Sequence, residues 1–88
     1  MACYRIEWKH SAWRDLKRVD RQAIPRIIVA VEELATNPLR PGVVKLQGSE
    51  RTYRIRVGDY RVLYELFNAH MVIQIVRVGH RRNVYTLT

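Results

Sequence analysis

The segment from Tyr53 to Tyr64 leaves the chain little choice. It reads Tyr-Arg-Ile-Arg-Val, then Gly58-Asp59, then Tyr-Arg-Val-Leu-Tyr. Alternation of this kind belongs to strands with one buried face, and a Gly-Asp pair between two such runs closes a hairpin. With Gly58-Asp59 as the loop, Val57 pairs with Tyr60, Arg56 with Arg61 and Ile55 with Val62. Tyr53, Ile55, Val57, Tyr60, Val62 and Tyr64 then share one apolar face. Arg54, Arg56 and Arg61 share the other, with Arg56 and Arg61 directly opposite. Like charges so placed destabilise a sheet by about 0.2–1 kcal/mol, so a chain selected only to fold would avoid them.

Something must cover the apolar face, and the first half of the chain supplies it. Tyr4, Ile6 and Trp8 alternate with Arg5 and Glu7, the pattern of a half-buried first strand. Ser11 is placed to cap a short helix over about residues 12–19, on which Ala12, Trp13 and Leu16 fall at helical spacing. Asp20 is placed to cap a second, with Pro25 tolerated near its first turn. Ile24, Ile27, Ile28, Val31, Leu34 and Ala35 recur at i, i+3, i+4, i+7, a stripe that is core. Asn37 and Pro38 end that helix, and Pro41-Gly42 makes a loop. Val43 to Leu46 extends or leads into the strand at Thr52. After the hairpin, Asn68-Ala69-His70 turns the chain into Met71–Val78, apolar at nearly every position and therefore central in the sheet. The expectation is an α+β domain of order β-α-α-β-β-β, two helices on one face of a mainly antiparallel four-stranded sheet.

Length and charge narrow the function. Eighty-eight residues make one domain, residues 1–88, and 48% apolar composition is enough for a core. A single cysteine, Cys3, excludes a disulfide framework, and His10, His70 and His80 are too scattered to suggest a metal cluster. The longest apolar run, Ile27 to Val31, is far short of a membrane span, and Met1 leads straight into a strand pattern without a signal-peptide apolar region. The cytoplasm is the expected compartment, with no membrane and no cofactor.

Sixteen cations against eight acids give a formal charge of +8, and thirteen of the cations are Arg. Arg presents a planar, always-charged fork that matches phosphate and stacks on bases. From residue 45 onward, eight cations (Lys45, Arg51, Arg54, Arg56, Arg61, Arg77, Arg81, Arg82) face only Glu50, Asp59 and Glu65. Such clustering points to a polyanion, and the tail Gly79-His80-Arg81-Arg82-Asn83-Val84-Tyr85 adds an aromatic that suits RNA. Gly79 would let the backbone turn back over the sheet, bringing His80, Arg81 and Tyr85 to the arginine face.

Three segments taken in order carry a resemblance: Lys45-Leu46-Gln47-Gly48, then Tyr53 to Tyr64, then Val78-Gly79-His80-Arg81-Arg82-Asn83-Val84-Tyr85. Together they resemble the RelE/ParE toxin superfamily across essentially the whole chain. The resemblance implies a ribonuclease-like fold, a toxin neutralised by a cognate RelB-like, acidic antitoxin, and contact with DNA only through that complex. RelE-type members enter the ribosomal A site and cleave mRNA by attack of a ribose 2′-OH on the adjacent phosphate, without a metal. Family catalytic positions fall on Arg54, Arg56, Arg61, Arg81 and Tyr85, and Lys45, Arg51 and Arg82 are candidate RNA-binding cations. Arg stands at 54 and 56 where the best-known members carry Lys, and Arg cannot act as a base. Tyr85 and His80 are then the candidates for proton transfer. The ParE branch, which acts on DNA gyrase and generally lacks the basic-plus-Tyr set, is the alternative; a member without catalysis, kept as co-repressor, is another.

Overall fold

A computed structural model describes residues 3–80 of the chain. Its elements run β1 (Arg5–Trp8), α1 (His10–Leu16), α2 (Ile24–Glu33), β2 (Val44–Lys45), β3 (Thr52–Val57), β4 (Tyr60–Phe67) and β5 (Val72–His80). The strands form one sheet in the order β1-β5-β4-β3-β2. All neighbours are antiparallel except β1 and β5, which run parallel with Arg5 opposite Val72 and Trp8 opposite Ile75. The expected α+β architecture holds, with two helices on one face. The sheet has five strands rather than four, because Val44 and Lys45 pair with Arg54 and Tyr53 at the β3 edge. Positive-φ glycines at 42 and 48 turn the chain on either side, so this strand is only two residues long.

The hairpin register is as the alternation predicts: Val57↔Tyr60, Arg56↔Arg61 and Ile55↔Val62. Gly58, the first turn residue, takes a φ of +59°, as a II′ turn requires and an L side chain resists.

The helices start elsewhere than their apparent caps. Lys9 is the N-cap residue of α1 and makes no side-chain cap bond. Ser11 lies inside the helix and donates its hydroxyl to the Val76 carbonyl at 2.7 Å. Asp20 accepts the Gln22 N–H at 3.1 Å and so shapes the turn between the helices, while α2 begins at Ile24 with Pro25 in its first turn.

Core packing follows from these placements. Ala12, Leu16, Val19, Ile27, Val31 and Leu34 from the helical side are buried against Ile55, Val62, Tyr64, Ile73, Ile75 and Val78 of the sheet. Burying each large aliphatic side chain contributes about 1.5–3 kcal/mol, which is where the helices gain their hold on the sheet.

β1 covers only the first half of β5. Beyond Ile75, α1 takes over the edge with side chains and its leading backbone. Lys9 N–H donates to Ile75 O at 2.9 Å, Ser11 Oγ to Val76 O at 2.7 Å, and Val78 N–H donates to Asp15 Oδ2 at 3.0 Å. A strand edge that would otherwise present open backbone groups is thereby closed by a helix.

Candidate nucleic-acid interface

The face of the sheet turned away from the helices carries the arginines. Pairing places Val44, Arg54, Leu63 and Arg77 in one cross-strand row, and Arg56, Arg61 and Gly79 in the next. Leu63 is 4% exposed yet lies outside the main core cluster, because it is buried on this second face between Arg54 and Arg77. Gly79 adds no side chain beside Arg61. The segment from Val44 to Ser49 folds up as a wall, held where Ser49 Oγ bonds Thr52 Oγ1 at 2.7 Å and accepts the Thr52 N–H at 3.1 Å. Between this wall and the arginine row lies an open groove of about 600 Å³, with Leu63 in its floor and Arg54 and Arg77 along it.

Two acids share this face in the cross-strand row next to Arg54, Leu63 and Arg77. Glu7 of β1 pairs with Arg5 at 2.8 Å, and Glu65 of the central strand β4 with Lys9 at 3.9 Å. Arg56 donates Nε to the Gly58 carbonyl at 3.1 Å, which draws its guanidinium back along the hairpin turn.

Arg77 is held differently. Asp15 of α1 accepts its Nε at 2.8 Å and its Nη2 at 3.2 Å, and the same carboxylate takes the Val78 N–H. The hydrogen bond to Asp15 raises the Arg77 pKa further, so its charge is permanent. This two-point bond fixes a guanidinium at the margin of the groove.

The candidate residues are not all brought together. Arg54, Arg56 and Arg61 share the groove face. Gly79 does not turn the chain back over the sheet; β5 runs through it, and His80 pairs with Tyr60, on the helix side. The His80 ring meets the Tyr60 ring edge-on at 5.8 Å, so the expectation that it joins the arginines is corrected. Strand alternation is the reason, since His80 stands two positions after Val78 and so shares the face that Val78 buries in the core. Lys45 borders the groove but pairs with Tyr53, out of line with Arg54. Arg51 lies at the far end of the sheet, its guanidinium 5.1 Å from the centre of the Phe67 ring. Arg81, Arg82 and Tyr85 lie outside the described residues. Among the described residues no group of His, Cys, Asp and Glu could hold a metal ion, and no helix is long and apolar enough to cross a membrane.

The place of Arg77 on the groove face and its partner Asp15 are what a reading of the sequence misses. A bulge at Val76, where Leu63 pairs with Arg77 but Tyr64 with Ile75, shifts the alternation by one. A lone Arg in an apolar run was the available signal.

The sheet thus carries helices on one face and arginines above an apolar-floored groove on the other. The family model described as the ParE toxin of the type II toxin–antitoxin system, parDE, matches residues 6–85. Toxin RelG of Mycobacterium tuberculosis is 34% identical over 87 residues, covering 93% of this chain and 95% of its own. A RelBE toxin–antitoxin complex from the same organism superposes with a TM-score of 0.79 at 30% identity, over 91% of this chain and all of the matched one. The RelE–RelB complex of Pyrococcus horikoshii gives 0.80 at 27%, over 92% and 98%. The chain belongs to the RelE/ParE superfamily of type II toxins, on its RelE-like branch.

Proposed function

We propose that this toxin cuts mRNA in the ribosomal A site, and that a cognate antitoxin restrains it. The observation that carries the reading is the pair of cross-strand rows, Arg54-Leu63-Arg77 and Arg56-Arg61-Gly79, on one open face. In the reaction the 2′-oxygen attacks the adjacent phosphorus, the bond from phosphorus to the 5′-oxygen breaks, and a 2′,3′-cyclic phosphate remains. Negative charge grows on the non-bridging oxygens. Arg54 and Arg61 stabilise it, with Arg56 beside them, in the role a metal cation plays elsewhere.

The proton leaving the 2′-OH needs an acceptor that arginine cannot be. By resemblance Tyr85 is the residue for it, and Arg81 the one that supports the leaving oxygen. A groove of arginines holds a phosphate but does little to align the 2′-OH with the leaving group. The ribosome supplies that alignment by fixing the message.

The antitoxin half of the proposal is supported by likeness to toxins crystallised with their antitoxins. An acidic antitoxin segment would neutralise the arginine face.

The competing reading is a toxin that docks on DNA gyrase without cutting RNA; it is favoured by the ParE description of the matching family model. Incubating the purified protein with programmed ribosomes, with naked mRNA, and with gyrase and supercoiled DNA separates them. Cleavage of ribosome-bound message far faster than of naked RNA is the expected result. Equal rates on both RNAs would remove the ribosome from the mechanism, and trapped DNA breaks without RNA cleavage would establish the gyrase reading.

A further inference from the structure

Between α1 and the late part of β5 lies a second, smaller hollow of about 170 Å³, lined by Ser11, Arg14, Asp15, Arg18 and Arg77. Asp15 is fully committed within it, accepting two hydrogen bonds from Arg77 and one from the Val78 backbone. Arg14 and Arg18 are both exposed. They are four residues apart on the chain, Arg18 following the end of the helix, and both line this hollow. Neither makes an ion pair among the described residues. With the Arg77 charge offset by Asp15, the hollow keeps two uncompensated positive charges from Arg14 and Arg18. Arg14 stands in the last turn of α1 and Arg18 just past its end, where cations also complement the helix dipole.

Arg77 lines the hollow and the large groove alike. The two openings therefore meet at one side chain, which Asp15 holds still. We propose that the hollow is a second phosphate site for the RNA strand lying in the groove, with Arg14 and Arg18 as donors and the Asp15–Arg77 pair as the fixed shoulder over which the strand passes. The inference rests on reading the groove as an RNA site. The lining favours phosphate over an acidic peptide, because it contains no apolar side chain to anchor a protein segment. Guanidinium forks match phosphate oxygens in pairs, and a flexible single strand can follow two sites that share a wall.

The test is the salt dependence of binding to a single-stranded RNA oligonucleotide with 2′-O-methyl sugars, which lacks the nucleophile and is not cut. Fluorescence anisotropy between about 50 and 200 mM salt gives the slope of log K against log salt. The variant Arg14→Ala/Arg18→Ala should weaken binding and flatten the slope by about 0.7 for each phosphate that is no longer neutralised. Arg14→Lys/Arg18→Lys should restore the slope, and Arg14→Gln/Arg18→Gln replaces the alanine pair if that pair disturbs α1. Arg54→Ala/Arg61→Ala tests the groove in the same assay. A loss with the groove variant and an unchanged slope with the neutral hollow variants would overturn the second site and leave the groove reading intact. An unchanged RNA slope with weakened antitoxin binding would overturn it too, and assign the hollow to the protein partner. Failure of the wild-type protein to bind the oligonucleotide would overturn the groove reading and this one together.

Discussion

Arg56 and Arg61 stand directly opposite each other in the β3–β4 ladder, and Arg56 turns its Nε away to the Gly58 carbonyl at 3.1 Å. The hairpin thus keeps two like charges in register and relieves them through its own turn. Such a pair opposes folding, so its removal separates a cost to stability from a part in the proposed phosphate site.

Arg61→Ala should lower cleavage of ribosome-bound message by about 10²–10³, the usual loss for one transition-state donor. Its unfolding free energy should hold or rise, by up to about 1 kcal/mol, as the like-charge pair disappears. Single-turnover cleavage and urea unfolding of the same preparation check both. A near-normal rate would take Arg61 out of the phosphate site.

His80→Ala should leave the shape of the pH–rate profile unchanged, because His80 pairs with Tyr60 on the helix side of the sheet. Tyr85→Phe should alter both height and shape if the phenol moves the proton. Profiles of both variants on programmed ribosomes decide it. An altered profile for His80→Ala would return that imidazole to the chemistry.

Asp15→Ala removes three hydrogen bonds from a side chain that is only 11% exposed. It should cost about 1–3 kcal/mol, as losing a charged acceptor and stranding its donors does. A double-mutant cycle with Arg77→Met in urea should show coupling of about 0.5–3 kcal/mol. Additive single effects would mean that Asp15 acts on the β5 backbone alone.

Tyr64 donates its hydroxyl to the Pro38 carbonyl at 2.6 Å, and burial pushes its pKa well above the ordinary 10. The folded protein therefore keeps a proton that the unfolded chain releases above pH about 10. Stability from this group is complete below that pH and falls above it, by about 1.4 kcal/mol per pH unit until the folded pKa is reached. Tyr64→Phe should cost about 0.5–1.5 kcal/mol at neutral pH for the lost bond. It should also lose stability less steeply between about pH 10 and 11.5, the range to compare by urea unfolding. Parallel losses in the two proteins would show that the buried phenol is not the group titrating.

Association with an acidic antitoxin should slow markedly as salt rises, because charges steer the encounter only within about 8 Å at physiological ionic strength. Stopped-flow rates at low and high salt measure it. A rate indifferent to salt would leave apolar contact as the driver.

The hairpin was readable because every determinant is local. A two-residue turn and strict alternation set Arg56 against Arg61 without help from the rest of the chain. The α2 stripe was readable for the same reason, and Ile27, Val31 and Leu34 are buried as its spacing requires. What stayed hidden depends on distant partners. Ser11 looks like a cap, but the open edge of β5 recruits its hydroxyl. The bulge at Val76 places Arg77 on the groove face, and strict alternation along the mostly apolar run would have set it on the helix side. The face taken by His80 follows from the register of β5, which no neighbouring residue announces.

The parallel pairing of β1 with β5 has a consequence for how the protein is born. Arg5 leaves the ribosome early and must wait for Val72, so the sheet cannot close until the last described strand has been made. Pairings this far apart form late and slowly, since their loop-closure entropy is met before any packing is gained. Arg77 reaches its place beside Leu63 only at the same stage, so a truncated nascent chain carries arginines but no finished groove. A ribosome making this protein must have synthesised β5 before the product can assume the form proposed to attack a message.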